Sequence, residues 1–249
     1  MATIRTLSDV PTSEKDEVIS DFESEGAKVK VVSQGNDLWT ITATFPDQDS
    51  KPNDKTLIQP TIEPFVETTV TIPASVMGFS TNFDANNPSL LKQLEAAMQF
   101  RAFIEEGSSE FGFPLAIVAG IGSRESHWGL ALTPPEPAGT GDHGHGHGLM
   151  QIDDRAHANF INTNQWKNPK DNIFYGCKVL SESRAFFESK TGLQGEKLLQ
   201  GALAGYNSGP ANAVKAFQQG MDVDSFTTGR DYSKDVIKRA GWFQLHGWV

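Results

Sequence analysis

The segment that most constrains this 249-residue chain is the apolar run FPLAIVAGIGSRES, at residues 113–126. Apolar residues and glycines fill it almost completely until Ser123, so no side of a helix built from it would be polar. A helix that is apolar all round must be surrounded by other parts of the fold. We therefore predict a central helix here, and it places Glu125 at its end.

Helical periodicity continues on both sides of this segment. Residues 90–112 carry apolar side chains at three- and four-residue spacing, and Gly107 or Gly112 supplies a stop. Further helical patterns occupy 170–190, 195–205, 209–219 and 230–245. One region rich in Gly and Pro, Thr133 to Gly148, interrupts them. The sequence thus predicts a mainly α domain over residues 85–249, with a small β element.

The first 46 residues predict a separate, small αββ module. A helical stripe of apolar residues, capped by Thr12 or Ser13, precedes two alternating segments, KVKVVS and LWTITATF, joined by a QGND turn. So few residues bury little core, which favours an accessory module that docks onto something else. Residues 47–84 are predicted to be a linker, with room for one strand within Glu63–Ala74.

Composition excludes several classes of protein. The net charge of -10 argues against a nucleic-acid partner, because phosphate binding needs clustered Lys and Arg. No apolar run approaches the roughly 20 residues of a membrane span, and the N-terminus lacks the features of a signal peptide. The single cysteine, Cys177, excludes an internal disulfide, and its apolar helical surroundings predict a buried structural thiol.

Glu125 is the first candidate for chemistry. A carboxyl group held against apolar side chains loses hydration of its charged form, so its pKa is expected to rise. A general acid that protonates a glycosidic oxygen near neutral pH needs this property. The alternative is an ordinary surface glutamate at a helix end, and Glu125 alone does not distinguish the two.

Two further acids follow in the stretch GDHGHGHGLMQID, where Asp142 and Asp153 flank closely spaced glycines. The glycines permit tight turns and a close approach of the backbone to a ligand, and LMQI is typical of a short strand or turn. Inverting glycoside hydrolysis needs an acid and a base that holds water on the opposite face of the sugar. A third segment, AGYNSGPANAV, places Tyr206 and Asn207 at a helix start, either at a cleft edge or as an ordinary helix connection.

Four motifs in order, GSRESHWG, GHGLMQIDDRAH, AGYNSG and DYSKDV, resemble those of the goose-type lysozymes, within the superfamily of lysozymes and lytic transglycosylases. The resemblance covers about residues 88 to 245. It implies a lysozyme-like helical domain with a small β element at the cleft, without a cofactor. The implied activity is hydrolysis, with inversion, of the β-1,4 bond between N-acetylmuramic acid and N-acetylglucosamine in peptidoglycan glycan strands.

The resemblance also implies the site residues. Glu125 matches the catalytic acid, and Asp142 and Asp153 match the two acids that position water. For inversion we expect the acid and the water-holding carboxylates to lie about 6.5–9.5 Å apart. The residues expected to bind substrate are His157, Tyr206, Asn207, Tyr232, His127 and Gln151. Trp128 either stacks on a sugar or packs in the core.

Two other activities remain open at this point, a lytic transglycosylase that gives anhydro products and a non-catalytic peptidoglycan-binding protein. Lytic transglycosylases lack the water-positioning acids, so the two aspartates favour hydrolysis. The expected place of action is the cell wall outside the cytoplasm, reached by secretion, phage delivery or injection. The N-terminal module would then bind the wall or a docking partner.

A metal site is the remaining alternative. His143, His145 and His147 alternate with glycines, and Asp142 could add a fourth ligand. Metal ligands are usually held by a second shell of contacts, which a glycine-rich loop supplies poorly. We therefore predict no metal.

Overall fold

The computed structural model describes residues 3–12, 27–35, 37–45 and 77–249, together with Lys15, Val18, Ile19, Phe22 and Glu23. The chain divides into two compact units, Met1–Glu67 and Thr68–Val249. Residues 47–76 of the linker predicted over 47–84, and with them the strand considered within Glu63–Ala74, lie outside the described residues. The predicted domain boundaries therefore stay predictions.

The N-terminal unit contains an antiparallel sheet of three strands, β1 (Thr3–Pro11), β2 (Lys28–Gly35) and β3 (Leu38–Phe45), in the order β1-β3-β2. Between β1 and β2, the described residues Lys15, Val18, Ile19, Phe22 and Glu23 are helical. Strands β2 and β3 pair antiparallel, so the predicted helix and hairpin are confirmed. Strand β1 was not predicted. Its pairing with β3 shifts register between Leu7 and Val10, and such a bulge removes the two-residue alternation that identifies a strand.

The C-terminal unit is mainly helical, as predicted. Its helices are α1 (Pro88–Met98), α2 (Arg101–Phe111), α3 (Leu115–Ser126), α4 (Asp154–Asn162), α5 (Pro169–Thr191), α6 (Gly195–Ser208), α7 (Pro210–Gln218) and α8 (Tyr232–Leu245). Gly112 ends α2 in the left-handed conformation, whereas Gly107 lies inside α2. Helix α4 was not predicted; it has nine residues, of which Phe160 alone is buried.

Helix α3 occupies the centre of this unit. Its residues from Ala116 to Ser123 are all buried, which confirms the prediction from its apolar sequence. Helix α8 packs directly against it, and a Cβ atom added at Gly120 would lie 2.8 Å from the carbonyl oxygen of Val236. A glycine is therefore required for this close approach. The core fixes the position of the residues at the end of α3, including Glu125.

The small β element is a three-stranded antiparallel sheet, β4 (Thr140–Gly141), β5 (Gly146–His147) and β6 (Ile152–Asp153).

Cys177 is buried, as predicted, and burial raises the pKa of its thiol to about 12. The described part of the chain contains no helix that is long and apolar enough to cross a membrane.

Candidate active site

Glu125 lies in the last turn of α3 and is half-buried. The hydroxyl of Tyr232, the first residue of α8, donates a hydrogen bond to its Oε1 atom. Tyr232 is 1% exposed, and burial together with the nearby Glu125 raises the pKa of its hydroxyl well above the usual value. Tyr232 therefore remains a neutral hydrogen-bond donor that orients the carboxyl group.

A second tyrosine connects Glu125 to the segment that follows the small hairpin. The ring of Tyr206 stacks beside that of Tyr232, with centroids 6.3 Å apart, and its hydroxyl donates to the carbonyl oxygen of Met150 at 2.7 Å. Burial is also the main reason why the pKa of the Tyr206 hydroxyl is raised. The two tyrosines thus join α8 and α6 to the turn before β6.

The backbone reverses sharply after Glu125. His127 and Trp128 both adopt positive φ, at 49° and 56°. The hydroxyl of Ser126 accepts a hydrogen bond from the Gly129 amide and donates one to the carbonyl oxygen of Leu149 at 2.7 Å. Trp128 is buried, donates to the carbonyl oxygen of Ala119 at 3.0 Å and stacks on a core phenylalanine. Trp128 therefore packs in the core, which is one of the two roles predicted for it.

The two predicted water-positioning acids, Asp142 and Asp153, meet at one guanidinium group. The Nη2 atom of Arg155 donates to Oδ2 of Asp142 at 2.7 Å and to Oδ2 of Asp153 at 2.6 Å. Its Nε atom donates to Oδ1 of Asp153 at 2.9 Å. These contacts lower the pKa of Asp153, chiefly through the hydrogen bonds from Arg155, and they raise the pKa of Arg155. Both carboxylates are held close together by this one guanidinium group.

Backbone strain is concentrated in the same region. Of the eight non-glycine residues with positive φ in the described chain, five lie beside Glu125 or in the loop of the two aspartates: His127, Trp128, Asp142, His143 and Gln151. Positive φ is uncommon for such residues, and strain of this kind clusters at functional sites. The backbone conformation and the candidate side chains therefore indicate the same region as the active site.

The other residues predicted to bind substrate lie around this centre. Nδ1 of His157 lies 3.2 Å from the Tyr175 hydroxyl, and burial lowers the pKa of His157. Asn207 accepts a hydrogen bond from the Thr228 amide at 2.9 Å. Gln151 donates to the carbonyl oxygen of Gly148 at 2.8 Å. Their contacts with a sugar, and any contact of His127, stay predictions.

Two of the three histidines of the loop approach one carboxylate. His145 Nδ1 lies 2.9 Å from Asp154 Oδ1 and His147 Nε2 lies 3.5 Å from Asp154 Oδ2. The second separation is at the limit of hydrogen bonding, and among the described residues neither ring nitrogen of His147 has a hydrogen-bond partner. Within the described residues, no group of three or more His, Cys, Asp or Glu side chains could hold a metal ion.

Comparison with known proteins agrees with this geometry. The family model described as Lysozyme g matches residues 89–247. Lysozyme g of Struthio camelus is 34% identical over 158 residues, which cover 63% of this chain and 72% of the relative. Lysozyme g of Takifugu rubripes is 35% identical over 149 residues, or 58% of this chain and 74% of the relative.

The chain belongs to the lysozyme g family. The resemblance predicted from the four motifs is therefore confirmed. As a lysozyme, the protein is a glycoside hydrolase, a muramidase that degrades peptidoglycan.

One residue of the site is not among those predicted from the sequence. Arg155 joins Asp142 to Asp153, although it lies in the motif GHGLMQIDDRAH without a predicted role. Its separation from Asp153 by two residues is a signal for a helix cap with a local ion pair. The contact with Asp142 depends on how the hairpin folds back and has no signal in the sequence.

Proposed function

We propose that this lysozyme hydrolyses the β-1,4 bond between N-acetylmuramic acid and N-acetylglucosamine with inversion at the anomeric carbon. Glu125 is the proton donor, and Asp142 and Asp153 hold the attacking water. The observation that carries the proposal is the meeting of the two carboxylates at Arg155. This pair lies on a segment that Ser126 and Tyr206 connect to the end of the helix bearing Glu125.

The reaction follows from these positions. Glu125 gives its proton to the glycosidic oxygen as the bond from that oxygen to C1 breaks. Water attacks C1 from the opposite face and loses a proton to a carboxylate, so both sugars leave with ordinary hydroxyl groups. The negative charge of the two aspartates also favours the oxocarbenium-like transition state. Exchange with solvent then restores both protonation states.

The six predicted binding residues divide into two groups by the contacts that they make. Tyr232 is buried and acts on Glu125, so it orients the acid without touching the sugar. Tyr206 supports the turn at Met150 through its hydroxyl, and Gln151 supports the hairpin, where its Oε1 atom lies against Gly141 and Gly146. His157, Asn207 and His127 are half-buried and are the proposed direct contacts with the glycan.

The wider biological assignment has two parts. The substrate is the peptidoglycan of cell walls, so the proposed place of action is outside the cytoplasm, after secretion, phage delivery or injection. The proposed role of the N-terminal unit is attachment, either to the wall or to a docking partner. Sedimentation of the full chain and of a deletion of residues 1–46 with purified sacculi distinguishes these roles. Equal retention would favour a docking partner, and weaker retention of the deletion would favour wall binding.

The test of the reaction compares the wild-type protein with Glu125→Gln on purified peptidoglycan, with mass spectrometry of the soluble muropeptides. The proposal expects products with ordinary reducing ends from the wild type alone. Products lighter by one water would indicate a lytic transglycosylase and would remove the role of Asp142 and Asp153. Release of nothing by either protein, from several wall types, would favour a binding role.

A further inference from the structure

Asp142 and Asp153 have the same predicted role, but their surroundings in the structure differ. Asp153 caps helix α4 by accepting a hydrogen bond from the Arg155 amide at 2.7 Å. Its Oδ1 atom also accepts from Arg155 Nε, and its Oδ2 atom accepts from Nη2 and, at 3.1 Å, from Nε. Both oxygens of Asp153 are therefore occupied by donors of a single residue.

The side chain of Asp142 accepts fewer hydrogen bonds than that of Asp153. Its side chain makes one hydrogen bond, from Arg155 Nη2 to Oδ2, and within residues 77–249 its Oδ1 atom accepts none from a protein group. Its side chain is 55% exposed, against 38% for Asp153. Water can therefore approach Oδ1 of Asp142 without displacing a contact of the protein.

We propose that Arg155 is a positioning residue that holds Asp153 as a fixed anion and leaves Asp142 as the carboxylate that takes the proton from water. The inference rests on the proposed function and refines it, because it gives the two acids different tasks. Asp142 touches the reacting water. Arg155 and Asp153 act through Asp142, by fixing its place.

The proton balance supports this division. When water attacks C1, its O–H bond breaks and the proton passes to Oδ1 of Asp142, while the proton of Glu125 goes to the leaving oxygen. Protonation of Asp142 at Oδ1 keeps its contact with Arg155 at Oδ2 intact. Protonation of Asp153 would break a two-pronged, charge-assisted contact, which is among the strongest hydrogen-bonding arrangements in proteins.

The experiment measures kcat and KM for Arg155→Met, Arg155→Lys, Asp142→Asn and Asp153→Asn on soluble peptidoglycan fragments. We expect Asp142→Asn to lower kcat by about 10²–10⁴-fold, the usual contribution of a general base. Asp153→Asn keeps the helix cap and should lower kcat by a clearly smaller factor. Arg155→Met should lower kcat with little change in KM, and Arg155→Lys, which keeps a cation at this position, should recover part of that loss.

Controls separate this inference from folding and from the proposed function. Arg101→Met removes an arginine whose contacts are Glu105, the Gly247 carbonyl oxygen and the Trp248 ring, and it should keep the kcat of the wild type. Circular dichroism confirms that each variant is folded. A kcat of Arg155→Met equal to that of the wild type, or a larger loss for Asp153→Asn than for Asp142→Asn, would overturn the division of roles while wild-type hydrolysis persists. A wild type that releases no reducing ends would instead overturn the proposed function.

Discussion

The two parts of the active site are held in place in different ways. Glu125 stands at the end of a buried helix, and its hydrogen-bond donor, Tyr232, is itself fully enclosed by the core. Asp142 and Asp153 stand on a short hairpin and a helix cap, with largely exposed side chains. The acid is therefore positioned by apolar packing, and the two aspartates are positioned by charge and by backbone conformation.

This difference shows what each group requires. A buried hydrogen bond is strengthened by the low polarity of its surroundings, so the bond from Tyr232 orients Glu125 effectively. A single exposed ion pair contributes little, about 0–1 kcal/mol. The exposed acids are instead held by several contacts to one guanidinium group, whose planar geometry fixes direction as well as distance.

The largest expected effect on kcat comes from a change of Glu125, in the part of the site that is held by the core. Glu125→Gln keeps the size of the side chain but removes the transferable proton, so kcat should fall by about 10²–10⁴-fold or more, with KM nearly unchanged. Glu106→Gln, at an exposed pair with Lys170, is the matched control and should retain full activity. Comparable activity of the wild type and Glu125→Gln in a reducing-end assay would show that another group is the acid.

A smaller effect is expected from the donor to Glu125. Tyr232→Phe removes a hydrogen bond that favours the charged carboxylate, so Glu125 should hold its proton to higher pH. The alkaline limb of kcat/KM should therefore move to higher pH, with a loss of stability of about 0.5–1.5 kcal/mol. An unchanged alkaline limb, in a variant that is folded by circular dichroism, would mean that Tyr232 does not control the acid.

Two glycine substitutions compare the rigidity of the two parts. A Cβ atom at Gly122 would lie 2.5 Å from the buried Trp128 ring, whereas one at Gly146 would lie 2.3 Å from the end of the Gln151 side chain. The ring is enclosed and the amide can move, so Gly122→Ala should cost about 1–3 kcal/mol of unfolding free energy and Gly146→Ala clearly less. Gly78→Ala, with open space around it, is the control. Thermal unfolding measures both variants, and equal losses of stability for Gly122→Ala and Gly146→Ala would contradict the expected difference in rigidity.

The smallest expected effect is the pH dependence of stability at Asp153. Arg155 lowers the pKa of Asp153 in the folded protein, so this contact adds stability above the ordinary pKa of an aspartate and loses it as pH falls through the lowered value. The stability difference between the wild type and Asp153→Asn should therefore shrink on acidification below about pH 3.9. Chemical denaturation at several pH values measures it, and a constant difference would argue against a charged contact.

The same contrast explains what could be predicted from the sequence. The core helix, the acid at its end and the helices around it follow from apolar patterns, which packing enforces. The order of the four motifs indicated the family and, with it, both aspartates. Their joint contact with Arg155 and the positive φ at Asp142 and Gln151 could not be predicted, because they depend on how a short hairpin folds back on a helix cap. Strand β1 was missed because its bulge breaks the alternation.

The central claim is hydrolysis with inversion by Glu125 and a water held at the two aspartates. Proton NMR of the anomeric signals, recorded during cleavage of a soluble peptidoglycan oligomer, tests it most directly. The account predicts that the new reducing end appears first as the α-anomer, since the bond cleaved is β, and then equilibrates. First appearance of the β-anomer, or of an anhydro sugar without a reducing end, would contradict it.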